Sequence, residues 1–201
     1  FYLSKLSGEQ NVGIIYKKEI ELLEIKNYTP LIVREGKTKP GLIFYFRYKN
    51  LDAIAMVVHL KSTSKYDSTE ELRKESIQIR KEQAYILSKW IDSVLINTNE
   101  KDIFIIGDFN DYPNRIKDAT LTDLVENENI TFLTADLNSC KYSDLKTIDH
   151  IVISNNLKKR YINSSVRVYD FFQIYPENIC KNISDHCPVL VTIDVEIPDD
   201  D

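Results

Sequence analysis

Residues 102–111, DIFIIGDFND, pass from an almost wholly apolar run to a glycine and then to acids and an amide around one phenylalanine. The segment 102–107 reads as a strand buried on both faces, because a central strand has no solvated side on which to carry polar residues. Asp108 and Asn110 then stand two residues apart, which places them on one face if the backbone stays extended, with Phe109 pointing the other way. An acceptor and an amide so arranged address one phosphate or one water.

Outward from this strand the chain alternates between strand and helix signals. Residues 148–154 (IDHIVIS) and 188–197 (PVLVTIDVEI) are rich in β-branched residues and predict two further strands. Upstream, 41–48 (GLIFYFRY) and 53–60 (AIAMVVHL) predict a hairpin turning at 49–52. The runs 11–16 and 19–25 predict a strand pair separated by Lys17 and Lys18. From Ser68 the apolar period becomes helical through Leu72, Ile79, Ala84, Leu87, Ile91 and Val94, with Ser68 and Glu71 as a capping box and Trp90 as a core residue. The fold class is α/β, with one domain over 1–201 and a solvated acidic tail at 199–201.

Each polar group of chemical interest ends or opens a predicted strand. His59 follows AMVV, Asp108 and Asn110 follow IFIIG, Asp149 opens DHIVIS, and Asp185 and His186 precede PVLV. Taken singly, an acid after glycine is a turn residue and His59 a hydrogen-bonded core histidine. Jointly they predict a cluster, since strand ends gather at one sheet edge. Carboxylate, amide and imidazole without clustered thiols suit a hard cation such as Mg²⁺, with Mn²⁺ or Ca²⁺ as alternatives, and point to metal-assisted phosphoester hydrolysis.

The composition bounds the partners. A net charge of −5 and a pI near 5.3 disfavour a protein that grips nucleic acid or anionic membrane by a basic surface, yet leave room for an enzyme whose cation supplies the positive charge. No uncharged apolar block of about 18 residues occurs, so no membrane partner is expected, and a monomer is. Cys140, Cys180 and Cys187 show no C-x-x-C spacing, which mildly favours a reducing compartment and leaves one bridge open. Cys140 has no evident partner, and Cys187 is expected to fill the core.

VVHLKS at 57–62, IIGDFND at 105–111, TIDHIVIS at 147–154 and ISDHCPV at 183–189, in that order, resemble the endonuclease/exonuclease/phosphatase superfamily. That superfamily includes deoxyribonuclease I and the exonuclease III type of AP endonuclease. The resemblance implies a four-layer α/β sandwich of two mixed sheets with helices outside and an active site at one sheet edge. It also implies roles: His186 at the scissile phosphate, oriented by Asp149; Asp185 at the metal, directly or through water; Asp108 orienting or deprotonating the attacking water; and Asn110 positioning the phosphate. His59 matches the second histidine of the deoxyribonuclease branch, with Gln10 rather than Glu9 at the place of its partner. His150 is expected to face away from the site.

The expected activity is that of a divalent-metal-dependent phosphodiesterase, foremost a deoxyribonuclease I-like endonuclease hydrolysing DNA by in-line water attack. In that reading Lys39, with Lys37 and Arg34, approaches backbone phosphates, a solvated charged loop being the other reading. The alternatives are a phosphatase or sphingomyelinase-like phosphodiesterase, or a binding module that has lost the chemistry. The superfamily also carries an Asn strand and a Gln-Glu strand upstream, neither found here. The chain is therefore expected to be N-terminally incomplete, with completion by another polypeptide and degeneracy as alternatives; these 201 residues alone are expected to bind metal weakly and turn over little.

Overall fold

The computed structural model describes residues 1–4 and 10–200. Two short strands, β1 (Tyr2–Leu3) and β2 (Gly13–Ile14), pair into an antiparallel ribbon. The central sheet is formed by β3 (Glu21–Tyr28), β4 (Gly41–Tyr48), β5 (Leu51–His59), β6 (Ile103–Asp108), β7 (Ile130–Phe132) and β8 (Asp149–Ser154), in the order β3-β4-β5-β6-β8-β7. Only β5 and β6 run parallel, and the crossover that permits this is the 28-residue helix α1 (Glu70–Asn97). α2 (Thr122–Val125) packs beside α1. A second ribbon joins β9 (Arg167–Val168) to β10 (Val189–Leu190), with α3 (Glu177–Ile183) between them in the chain.

Strict alternation divides the core. Met56 and Val58 of β5, Ile103 and Ile105 of β6 and Val152 of β8 face α1, where they meet Ala84, Leu87, Trp90 and Ile91. Ala53 and Ala55, Phe104, Ile151 and Ile153 face the other way, toward Val189, Val191 and Ile193. A strand alternates sides at every residue, so each central strand feeds two cores, as its nearly continuous apolar sequence predicts. On the second face, among the described residues, the place of the expected second mixed sheet is taken by the two separate antiparallel ribbons. An open apolar cleft of about 560 Å³, lined by residues including Ile15, Phe44, Phe46, Val57 and Ile106, lies between them and the central sheet.

Several local expectations are corrected. Residues 11–16 and 19–25 do not pair with each other: β2 pairs β1, and β3 pairs β4 along its whole length, because the aromatic face of β4 offers the larger apolar partner. The run 188–197 forms only the two-residue β10 and one isolated bridge at Ile193, its backbone being diverted to Arg160 and Ser165. Beyond it the fully buried Arg160 pairs with Asp102 at 2.8 Å and Asp199 at 3.2 Å, and donates to the carbonyl of Ile197. The acidic tail is thereby tied down at Asp199. α1 is capped by Thr69, whose hydroxyl accepts from the Leu72 amide at 3.3 Å, not by Ser68. The hairpin turn is the pair Lys49 and Asn50, with Leu51 and Asp52 already in β5.

Gly107 is the one position where β6 leaves ordinary strand geometry, with φ at +135°. A Cβ there would lie 2.0 Å from the Val58 carbonyl oxygen on the neighbouring strand. Both the dihedral and the contact exclude a side chain. Gly107→Ala is expected to destabilise the protein by about 2 kcal/mol or more, read as a lowered urea midpoint; an unchanged midpoint would show that β6 does not need this approach.

Candidate active site

The register across β5, β6 and β8 explains how the polar groups meet. His59 lies opposite Asp108 in the parallel pair, and Asp108 lies opposite Asp149 in the antiparallel one. All three stand at strand ends and belong to the alternation that faces away from α1. Asp108 Oδ2 is 3.7 Å from His59 Nε2. The fourth group arrives from a distant segment: His186, in the loop between α3 and β10, places its Nδ1 2.8 Å from Asp149 Oδ2. Ligating atoms of Asp108, Asp149 and His186 all lie within 4.8 Å of one another.

Asp108 and Asn110 are neighbours for a reason other than the extended backbone expected. Asn110 sits in the left-handed region, φ 52°, so the chain turns back and its amide nitrogen donates to Asp108 Oδ1 at 2.7 Å. Its side-chain Nδ2 donates to Asp108 Oδ2 at 2.9 Å and to the Leu60 carbonyl at 3.0 Å. With both amide hydrogens engaged, Asn110 holds the Asp108 carboxylate. Phe109 is fully buried against Phe132 and His150, as its opposite orientation requires.

The electrostatics separate the roles of these groups. Desolvation, with Asp149 adding repulsion, raises Asp108 above the ordinary carboxylate range, while the Asn110 amide opposes the rise. His186 is raised as well, which for a base favours the charged form: its hydrogen bond to Asp149 lifts it to about 9 against the effect of partial burial. His150 is fully buried, its ring held between the Thr134 hydroxyl at 2.8 Å and the Asp111 carbonyl at 2.9 Å, and burial lowers it to about 4. It faces away from the site, as expected.

Two residues expected at the periphery of the site share a cleft with His59. Gln10 and Lys39 line it together with Lys37, Thr38, Lys61 and Ser62. Lys37, which also lines it, is paired with Glu75 at 2.8 Å, and the exposed Arg34 donates to the Val33 carbonyl. Glu9 lies outside the described residues. Asp185 lines a second cleft, of about 160 Å³, with Asp149 and His186, but its carboxylate is not in the close group of Asp108, Asp149 and His186.

Sequence reasoning missed the residues that brace the site. Asp111, fully buried, accepts from the Thr120 amide and hydroxyl and pairs with Arg115, fixing the loop after Asn110. From α1, Arg80 donates to the Lys61 carbonyl at 2.6 Å and Gln83 accepts from the Lys61 amide at 2.8 Å, fixing the loop after His59. Polar residues on an otherwise apolar helix face were the available signal. Cys140, left without a partner, is bonded to Cys187, immediately after His186, and Cys180 is a free buried thiol. Forty-seven residues separate the bonded pair, so nothing local announces it.

The donor set fits a divalent cation. Two carboxylates face each other at adjacent strand ends with the His186 imidazole beside them, a set with no thiolate and rich in oxygen, the preference of Mg²⁺. No family model matches the chain, and no curated protein matches its sequence. Solved structures do match. They include D. rerio TDP2 complexed with single-strand DNA product (14% identity, 87% of this chain, 68% of that chain, TM-score 0.57). They also include the human Nocturnin catalytic domain with bound sulfate anion (16%, 88%, 61%, 0.54) and an endonuclease/exonuclease/phosphatase family protein from Bacteroides thetaiotaomicron (15%, 91%, 67%, 0.53). The chain thus has the deoxyribonuclease I-like fold of the endonuclease/exonuclease/phosphatase proteins, and it spans 61% to 68% of the lengths of these three structures.

His150 carries a pH prediction. Its folded value of about 4 lies below the unfolded 6.5, so between these values the unfolded chain binds the extra proton. The stability this neutral ring contributes is full above pH 6.5 and is lost as pH falls through about 4, by about 3 kcal/mol. Urea unfolding with chelator present should show that loss in the native protein and a smaller one in His150→Gln; equal acid sensitivity would contradict the burial.

Proposed function

We propose that the chain is a divalent-metal-dependent phosphodiesterase that hydrolyses DNA, with Asp108, Asp149 and His186 at the reacting phosphate. The observation that carries this reading is the His186–Asp149 pair at 2.8 Å standing beside a desolvated Asp108. In support, a protein of the same fold is seen with a single-strand DNA product, and another holds a sulfate, an anion of phosphate shape.

Each residue then has a task set by its chemistry. Asp149 holds the His186 ring so that Nε2–H is available to donate to a phosphate oxygen, and the cationic ring offsets charge as it builds there. Asp108, with its basicity raised by desolvation, orients a water and takes its proton. Asn110 keeps the Asp108 carboxylate fixed through two hydrogen bonds. His59, 3.7 Å from Asp108, flanks the far side of that carboxylate. Lys39 and Gln10, in the cleft beside His59, donate to the oxygens of the neighbouring backbone phosphate. Asp108 and Asp149 would hold the cation, Asp185 assisting through water, and the ion when bound supplies the positive charge that the acidic composition lacks.

Hydrolysis of single-stranded and duplex DNA, an inositol polyphosphate and sphingomyelin by the whole natural protein that contains this chain, each with Mg²⁺ and with EDTA, tests the reading. Cleavage of DNA that EDTA abolishes is the expected result. Turnover of the phosphatase or lipid substrate instead would favour those alternatives, and no turnover of any would favour a binding module. His186→Ala and Asp108→Ala should each lower the rate about 10²-fold or more while unfolding remains cooperative. Lys39→Ala should raise KM severalfold and flatten its salt dependence, leaving kcat unchanged, because it removes only a phosphate contact.

A further inference from the structure

We propose that the Cys140–Cys187 disulfide is the positioning element for His186, so that a dithiol reductant switches the site off. The geometry is a closed circuit. Cys187 follows His186 directly and is bonded to Cys140. From Cys140 the chain runs through a tight loop, tied by Ser139 N to Leu145 O at 2.8 Å and Thr147 N to Leu137 O at 3.0 Å, into Asp149. The Asp149–His186 hydrogen bond completes the ring.

Without the covalent link, little else holds the imidazole against the strand end. The His186 amide donates to Ser184 Oγ at 3.0 Å, and the Ser184 amide to Cys180 O at 3.2 Å, contacts that lie within the α3 segment itself. Downstream, the Pro188 carbonyl and β10 attach to β9, an equally short ribbon. Phe171, Cys180 and Cys187 form a small cluster of their own, while β10 reaches the second core through Val189. Opening the disulfide removes the covalent link nearest the imidazole and lets residues 184–187 shift relative to Asp149. Misplacement of an orienting group by about 1 Å costs up to about 10²-fold in rate.

The bond is placed to be read by a reductant. Cys140 is half-buried and, with Cys187, lines the same cleft as Asp149, Asp185 and His186, whereas Cys187 itself is buried. A dithiol thiolate attacks Cys140 Sγ and expels Cys187 as a thiolate, which takes up a proton. The second reductant thiol, giving up its proton as it attacks, resolves the mixed disulfide and releases Cys140. Two electrons pass from the dithiol, which becomes a cyclic disulfide, and the protein gains two thiols.

The positioning claim stands on geometry alone, and its consequence for rate rests on the phosphodiesterase reading. Treating the protein with dithiothreitol until three thiols titrate, then following the histidine ring protons by NMR, separates the two. We expect the downfield Nδ1 proton of His186, held by Asp149, to vanish or broaden in the reduced protein and in Cys140→Ser, while the His150 ring signal, held by Thr134 and Asp111, stays unchanged. With Mg²⁺ and a DNA oligonucleotide, kcat should fall at least tenfold with little change in KM, and reoxidation should restore it. Cys180→Ala should keep both the signal and its sensitivity to dithiol. A His186 signal that survives full reduction overturns the proposal, as does loss of the His150 signal with it, which would mean general loosening. Absence of hydrolysis in the oxidised protein would instead strike the functional reading and leave the NMR result to decide the positioning.

Discussion

The close approach of Gly107 to the Val58 carbonyl sets the register on which the polar cluster depends. Because β5 and β6 run parallel at that point, their ends stop level, and His59 stands beside Asp108 instead of being offset along the strand. The antiparallel β8 then brings the start of its strand, Asp149, to the same edge. A shift of one residue in either pair would send one of these side chains to the α1 face, where a carboxylate would be buried among apolar groups.

Two carboxylates at adjacent strand ends repel, and the protein accommodates this in three ways. Asn110 satisfies Asp108 with two hydrogen bonds, His186 satisfies Asp149, and Arg80 and Arg115 add positive charge behind the loop through Asp111 and Thr120. What remains is a group of Asp108, Asp149 and His186 that could hold a cation. The net charge of −5 is consistent with an enzyme that takes its phosphate contacts from a metal and a few lysines, not from a basic face.

The site is assembled from two mechanically different bodies. Asp108, Asp149 and His59 ride on the central sheet, braced by α1 through Gln83 and Arg80. His186 rides on the small unit of α3, β9 and β10, which meets that sheet through Val189 of β10. The position of His186 against Asp149 thus depends on how firmly the smaller body is fastened, and the Cys140–Cys187 bond joins it to the loop that leads into Asp149.

The sequence by itself determined the strand cores, the long helix, the orientation of Phe109 and His150, and the gathering of His59, Asp108 and Asp149 at strand ends. Those follow from period-2 and helical patterning, which local residues carry. It also placed His186 with Asp149, but only through four separated stretches resembling one superfamily, since no local rule links residues 37 apart. Tertiary structure alone decided the left-handed turn at Asn110, the pairing of β3 with β4, the diversion of the 188–197 run, and the union of Cys140 with Cys187. Each is settled by competition among distant partners for the same backbone edge, charge or sulfur, and a chain read one window at a time contains no record of who wins.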